Sequence, residues 1–178
     1  MKKTCIFCLI SGIIMALSMG VSAEEQADVV VYSKASSVIT STTKTEDTGG
    51  MNDTAKKVFD MLNAEREKNG LTPLKVDEAL TACANTRAAE QLENYGHVRP
   101  DGNKWSTVFG DKIKTLLWWG ENLARKQKTP ERIVKAWMES EGHRKNILSE
   151  KYTHGAVAYS VDQDGNIYWL NLFWTPES

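Results

Sequence analysis

Cysteine is the residue whose scarcity constrains this sequence most. The 178 residues contain three cysteines, and two of them, Cys5 and Cys8, lie in an N-terminal segment that we predict to be removed. Only Cys83 would then remain, so no disulfide could form within the chain. This excludes a small disulfide-stabilised fold. Stability must come from packing, for which six tryptophans supply large apolar surfaces.

An excess of basic residues and a long apolar run are also missing. Lys and Arg number 22 against 23 Asp and Glu, which gives a net charge of −1 at pH 7. Nucleic-acid binding requires a basic patch, so we expect no nucleic-acid partner. The apolar run at residues 6–17 is shorter than the roughly 20 residues that span a bilayer, so we expect no stable membrane insertion.

The first 23 residues have the composition of a secretory signal peptide. Lys2 and Lys3 give a positive start, the short apolar run follows, and the small residues Val21-Ser22-Ala23 end the segment. We therefore predict cleavage after Ala23 and a secreted, extracellular protein. The two early cysteines lie before the end of the apolar run, where the acylated cysteine of a lipoprotein does not occur.

Residues 24–50 are rich in Ser, Thr and charged residues, and they contain few side chains that a core could bury. We predict a tether or disordered leader, with residues 29–32 as an alternative short edge strand. Gly49-Gly50 marks the expected boundary. Residues 51–178 then form one domain, which is long enough to enclose a hydrophobic core.

Two helices are predicted in the first half of this domain. The first begins at Asn52 or Asp53, has apolar residues at three-to-four spacing, and ends at Asn69-Gly70. The second runs from Asp77, its N-cap, to about Asn94. Its inner side carries Leu80, Cys83, Ala84, Ala88 and Leu92. In that position Cys83 is typical of a small buried apolar residue and not of a nucleophile.

The second half of the domain alternates strands with a helix. Residues 116–119, Leu-Leu-Trp-Trp, predict a buried strand or a loop packed on the core. Thr129-Pro130 predicts a helix start, after which Trp137 and Ser140 share a face. Residues 155–161 and 167–174 alternate with period two around Asp164-Gly165, which predicts a β-hairpin. His154 precedes it and is predicted to lie on the surface.

Three separated motifs are more specific than these patterns. Residues 136–148 read AWMESEGHRKNIL, residues 97–102 read HVRPDG, and residues 120–122 read GEN. In this order they resemble the CAP superfamily, which includes cysteine-rich secretory, insect venom allergen and plant pathogenesis-related proteins. The resemblance covers roughly residues 51–174 and is greatest to the bacterial secreted, SCP-like branch. It implies an α+β fold, a three-layer α-β-α sandwich with a central, mostly antiparallel sheet.

The resemblance also implies a central cleft. Its expected residues are His97, Glu121, Ser140 and His143. Many eukaryotic relatives have a second Glu where this chain has Ser140. The flanking Glu139 and Glu141 are each rotated about 100° away on a helix, so four-ligand chemistry does not transfer directly.

Other motif residues are expected to have structural roles. Asn63 and Arg66 match the N-x-x-R of the family's first helix, where they either tie the helix to neighbouring loops or remain solvated. The remaining expected structural residues are Arg99, Asn122, Trp137 and Asn146.

The cleft leaves two classes of function open. Neutral imidazoles of His97 and His143 with the carboxylate of Glu121 could bind Zn²⁺ or another divalent metal. The sequence lacks an HExxH helix and an obvious Ser-His-Asp arrangement, so we favour a monomeric binding module over an enzyme. Its partner would be a small apolar or peptide ligand, or an extracellular protein. The alternative is a metal-dependent peptidase or esterase that uses the same cleft.

Overall fold

A computed structural model describes residues 49–177. The signal peptide predicted for residues 1–23, the optional strand at residues 29–32 and the leader up to residue 48 lie outside the described residues. Within residues 49–177, no helix is long and apolar enough to cross a membrane.

Among the described residues, the centre of the fold is a three-stranded antiparallel sheet. Its strands are β1 (Leu116–Arg125), β2 (His154–Val161) and β3 (Ile167–Pro176), and their spatial order is β1-β3-β2. The predicted β-hairpin is thus confirmed as β2-β3. Its turn is closed by Asp162, whose Oδ1 accepts the backbone N–H groups of Asp164 and Asn166 at 2.9 and 2.8 Å. Asp162 serves this turn as an acceptor of backbone hydrogens.

Four α-helices of residues 49–177 surround the sheet: α1 (Asp53–Lys68), α2 (Glu78–Glu90), α3 (Pro130–Glu139) and α4 (Glu141–Ile147). The predicted starts of the first three are confirmed. Asn52, Asp77 and Thr129 each accept a backbone N–H of the first turn through the side chain.

The helices form two layers, one on each face of the sheet. Helices α1, α3 and α4 pack on one face, whose core contains Val58, Phe59, Leu62, Ile133, Trp137, Ile147, Val157, Trp169 and Phe173. Helix α2 packs on the other, whose core contains Leu80, Ala84, Ala88, Phe109, Leu123, Ala156, Leu170, Leu172 and Trp174. Successive residues of β2 and β3 enter opposite cores, as the two-residue period of a strand requires. The α-β-α sandwich expected from the sequence is therefore the fold.

Helix α2 ends earlier than the sequence predicts. Its last residue is Glu90 and not Asn94, and Leu92 is 43% exposed where an inner position was expected. The reason is the side chain of Gln91, which is buried and exchanges hydrogen bonds with the backbone of Gly96. This contact turns the chain away from the helix axis.

The prediction of a buried segment at residues 116–119 is half wrong. Leu116 is buried at the start of β1, but Leu117, Trp118 and Trp119 are 52%, 47% and 40% exposed. They lie on an edge strand of the sheet, where neighbouring strands do not cover both sides. The 3₁₀ turns of Trp105–Thr115, which meet at Gly110 with φ of 55°, were not predicted from the sequence.

The surface position predicted for His154 is also wrong in part. The side chain is half-buried at the first residue of β2, and its Nδ1 lies 2.9 Å from the hydroxyl of Thr153. The backbone of Lys75 forms an isolated parallel bridge with His154 at this point, and the N–H of Gly155 donates to the Lys75 carbonyl at 3.0 Å.

Candidate functional site

Glu121 is the buried acid of the predicted cleft. It lies on β1, and its side chain is fully buried. One carboxylate oxygen accepts the Nε hydrogen of Arg87 at 2.9 Å, and the other lies 2.7 Å from Nδ1 of His97. A buried carboxylate needs such partners, because an unpaired charge is strongly disfavoured away from water. Both oxygens of Glu121 are thus engaged by the protein.

Arg87 is the residue of this site that the sequence did not reveal. Its side chain is fully buried in α2 and its fork reaches three groups: Glu121, the carboxylate of Glu90 at 2.7 Å, and the carbonyl of Gly96 at 2.9 Å. A planar guanidinium with five N–H donors suits this role. The usable signal was spacing, since Leu80, Ala84, Arg87 and Gln91 follow one another at three or four residues on the inner side of α2.

A second arginine extends this network to the surface. Nη2 of Arg99 lies 2.6 Å from Glu90, and its Nη1 donates to the hydroxyl of Thr107 at 3.1 Å. Burial opposes ionisation of Glu90, but hydrogen bonds from Arg99 and Arg87 outweigh it and lower the pKa of Glu90. Two carboxylates and two guanidiniums therefore alternate from Glu121 to Arg99.

His97 is held by its backbone while its ring stays accessible. Gly96, the residue before it, is bonded on both backbone groups by Gln91, and the His97 carbonyl accepts the N–H of Trp105 at 3.2 Å. The imidazole is 59% exposed and touches Glu121 through Nδ1 only. A carboxylate accepts hydrogens and cannot donate one, so Nδ1 carries the hydrogen and the lone pair of the neutral ring lies on Nε2.

His143 faces the same region from α4. Its side chain is half-buried, and burial, with a smaller contribution from the charge of His97, lowers the pKa of His143 from its ordinary value of 6.5. The backbone is fixed by Asn122, which donates to the His143 carbonyl at 3.1 Å and accepts from Asn146 at 2.8 Å. The two imidazoles are thus close enough to influence each other electrostatically.

Ser140 and Trp137 precede α4 in the sequence, and neither side chain joins the hydrogen-bonded network of Arg87, Glu121 and His97. Ser140 links α3 to α4, and its carbonyl accepts the N–H of Arg144 at 2.9 Å. Trp137 is fully buried, and its Nε1 has no hydrogen-bond partner among the described residues. Of the four predicted cleft residues, the structure brings His97, Glu121 and His143 together, and it places Ser140 at the start of the helix that carries His143.

Asn63 and Arg66 connect α1 to distant loops. The amide of Asn63 donates to the carbonyl of Leu74 at 3.0 Å and accepts its N–H at 2.8 Å. Arg66 is 2% exposed and donates to four backbone carbonyls, those of residues 72, 147, 149 and 152, at 2.7 to 3.4 Å. Both residues are therefore held by backbone groups and are not solvated.

A ready three-ligand metal site is not formed in this arrangement. The described part of the chain contains no group of three or more His, Cys, Asp and Glu placed to hold a metal ion. The carboxylate of Glu121 faces Arg87 and His97, which is the position of a group that orients a ligand. The groups available to a metal or a polar ligand are Nε2 of His97 and the neighbouring imidazole of His143.

A comparison with protein-family models decides the family. Residues 59–175 match the model described as CAP, the cysteine-rich secretory protein family. The chain belongs to the CAP family. The match includes His97, Glu121, Ser140 and His143, so all four cleft residues lie within the CAP domain.

Relatives of this CAP domain occur in bacteria. The chain is 44% identical over 123 residues to the uncharacterised protein YkwD of Bacillus subtilis (strain 168). That match covers 66% of this chain and 46% of YkwD, so the chain corresponds to about half of that relative's length.

Solved structures share the CAP fold at low sequence identity. An outer surface protein from Borrelia burgdorferi superposes with a TM-score of 0.63 at 20% identity, covering 71% of this chain and 97% of that one. An extracellular protein containing an SCP domain from Bacillus anthracis superposes with a TM-score of 0.60 at 22% identity, over 72% of this chain and 41% of that one. At these identities the likeness concerns the fold alone.

Proposed function

We propose that this CAP protein is exported and acts outside the cell as a binding module. The ligand would sit in the cleft between His97 and His143, and it would be a divalent metal such as Zn²⁺, a small apolar or peptide-like molecule, or a segment of an extracellular protein. Export is supported by the composition of residues 1–23, and by the extracellular or outer-surface proteins that share the fold.

The pairing of His97 with Glu121 carries the proposal. Arg87 holds the carboxylate, the carboxylate holds Nδ1 of His97, and the exposed Nε2 is left with a lone pair. Metal-binding histidines are commonly oriented in this way by a second residue. Burial lowers the pKa of His143 and so favours the neutral imidazole, which a metal ligand also requires.

Hydrolysis in the same cleft is the second candidate. A divalent ion held by two imidazoles keeps positions open for water, and it would lower the pKa of that water. The protein itself adds little to such a reaction, because Ser140 makes no side-chain hydrogen bond with His97, Glu121 or His143 within the described residues. Binding without turnover is therefore the function that we favour.

Zinc titration by calorimetry tests the proposed site. Wild-type protein should bind Zn²⁺ near neutral pH, and affinity should fall below about pH 6 as the imidazoles take protons. Replacing both His97 and His143 by Ala should abolish binding. His154→Ala is the matched control, since this imidazole lies outside the cleft, and it should bind like wild type.

Two results would decide against these ideas. Wild-type binding weaker than about 1 mM would rule out the metal site, and with it the metal-dependent hydrolase. Turnover of peptide or ester substrates that is lost in the double variant would replace the binding module by the enzyme. Export has its own test, since N-terminal sequencing of secreted protein should begin at or near Glu24, and an intact Met1 would contradict it.

A further inference from the structure

The contacts around His97 close into a cycle. Nδ1 of the imidazole lies 2.7 Å from Glu121, and Glu121 accepts the Nε hydrogen of Arg87 at 2.9 Å. Arg87 also donates to Glu90 at 2.7 Å, and Glu90 accepts from Arg99 at 2.6 Å. Arg99 lies two residues after His97, so the backbone completes the cycle. His97 is therefore held in two ways, through its imidazole by Glu121 and through its backbone by Arg99.

Glu90 is the member of this contact cycle that joins the two arginines. Its Oε1 accepts Nη2 of Arg99 at 2.6 Å and Nε at 3.0 Å, and its Oε2 accepts Nη1 of Arg87 at 2.7 Å. Burial alone raises the pKa of Glu90, but the hydrogen bonds from Arg99 and Arg87 outweigh it and lower that pKa. The carboxylate is therefore charged at neutral pH, and hydrogen bonds between charged groups are the strong ones.

The contact with Glu90 ties the chain after His97 to α2. Residues 99–104 form a turn whose backbone bonds largely to itself. The N–H of Arg99 donates to the carbonyl of Asn103, and the N–H of Gly102 donates to the carbonyl of Arg99, both at 2.9 Å. These bonds shape the turn but do not fix it to the helix. The guanidinium of Arg99 does, and at 19% exposure it has little access to water that could replace Glu90.

Without the contact to Glu90, the residues before His97 would stay in place. Gly96 keeps the hydrogen bonds of Gln91 on both backbone groups and that of Arg87 on its carbonyl. The chain thus enters His97 from a fixed point, while the turn after it gains freedom. The imidazole then shifts against Glu121, whose carboxylate is fixed by burial, and a hydrogen bond weakens steeply when its angle is lost.

We propose that Glu90 and Arg99 are positioning residues for His97. Acting through Arg87 on one side and through the backbone on the other, they keep Nδ1 of the imidazole on Glu121 and so direct Nε2 towards a ligand. Residues that orient a ligating histidine from behind affect affinity without touching the ligand. The effect on ligand binding rests on the function proposed for the cleft, whereas the orientation of His97 does not.

Heteronuclear NMR of the imidazole nitrogens tests the orientation in metal-free protein. The sample is the full chain without its predicted signal peptide, at about pH 8, where an ordinary imidazole is neutral. The chain has three histidines, so single variants assign the signals. Wild-type His97 should carry its hydrogen on Nδ1, because Glu121 accepts it there. Glu90→Gln keeps the shape of the side chain and removes its charge and one acceptor oxygen, so His97 should then populate both tautomers.

Two further variants make this result specific. Arg99→Gln breaks the same contact from the other side and should also release the tautomer of His97. Glu65→Gln is the matched control, because Glu65 is a helical carboxylate, 27% exposed, with a partner three residues later at 2.7 Å, and it lies on α1 in the other helical layer. It should leave His97 unchanged. A wild-type tautomer in Glu90→Gln or Arg99→Gln, or an equal change in Glu65→Gln, would overturn the proposal.

Calorimetric titration with Zn²⁺ adds the effect on affinity. Glu90→Gln and Arg99→Gln should each weaken binding about tenfold, and Glu65→Gln should stay within about twofold of wild type. If wild type binds no zinc, the function proposed for the cleft fails, and the NMR spectra still decide whether His97 is positioned. If wild type binds zinc and both cycle variants bind equally tightly, the positioning role fails. Circular dichroism checks the fold, and if Glu90→Gln does not fold, Arg99→Gln decides.

Discussion

Replacing Arg87 by Met is the sharpest test of how the cleft is built. The substitution keeps most of the buried volume of the side chain and removes its charge and its five donors. Glu121 then loses its partner at 2.9 Å, Glu90 loses one at 2.7 Å, and the carbonyl of Gly96 loses one at 2.9 Å. Glu90 keeps the guanidinium of Arg99 and Gly96 keeps Gln91, whereas the fully buried carboxylate of Glu121 keeps only the imidazole of His97.

The expected loss follows from the burial of both partners. The side chains of Arg87 and Glu121 are both 0% exposed, so solvent cannot replace the lost contact. Breaking a buried ion pair by removing one partner costs about 3–5 kcal/mol. For a domain of this size, that corresponds to a decrease in melting temperature on the order of 12–20 °C.

Urea denaturation followed by circular dichroism measures this loss. Arg132→Met is the matched control, because this arginine is exposed. The free energy of unfolding of that variant should differ from wild type by less than about 0.5 kcal/mol. The double variant with Glu121→Gln should be less destabilised than the sum of the two single variants, since both act on one interaction. A loss below about 1 kcal/mol for Arg87→Met, or strict additivity, would refute the view that this pair organises the cleft.

Three further outcomes are expected from the same structure. Gly120→Ala should destabilise the fold by about 1–3 kcal/mol, since the new Cβ would lie 2.5 Å from the hydroxyl of Tyr152. Gly142→Ala is the control, because the space around Gly142 is open, and thermal unfolding should show no loss of stability for it. Asn122→Ala should cost about 1–3 kcal/mol in urea, because the carbonyl of His143 loses its donor; no loss would mean that water replaces the amide. Burial lowers the pKa of His143 below 6.5, so as the pH falls this imidazole is protonated in the unfolded chain before it is protonated in the folded one. The free energy of unfolding is therefore unaffected by His143 above about pH 6.5 and decreases below it. Wild type should therefore lose more stability between about pH 7 and pH 5 than His143→Gln, and parallel curves would contradict the assigned shift.

Local signals explain what the sequence predicted well. Asp77 and Thr129 were predicted as N-caps, and Asn52 as one of two candidates beside Asp53, because a cap interacts only with the first turn of its own helix. The hairpin was predicted for the same reason, from two alternating segments and the turn between them. The fold itself followed from motifs in residues 97–148, which the resemblance placed in one architecture.

The features that escaped prediction depend on distant parts of the chain. Arg87 lies on the inner side of α2, where a charge has no explanation until Glu121, 34 residues later, is brought to it. Gln91 ends α2 early through a similar contact with Gly96. Trp118 and Trp119 follow two leucines, so the apolar sequence of residues 116–119 predicts a buried segment. Whether a helical layer covers this part of β1 depends on distant residues and is not encoded in these four.

The four carbonyls bound by Arg66 have a consequence for how this protein can diverge. Every acceptor is a main-chain oxygen, in residues 72, 147, 149 and 152, so the brace is indifferent to which side chains those positions carry. Substitutions at Thr72 and Ser149 would thus leave these hydrogen bonds in place, whereas the side chains of Ile147 and Tyr152 are also held by packing in the core and on Phe173. The architecture separates what must be inherited, which is one arginine, two packed side chains and the loop lengths, from the positions that selection or a protein engineer can vary to alter the surface that these loops present.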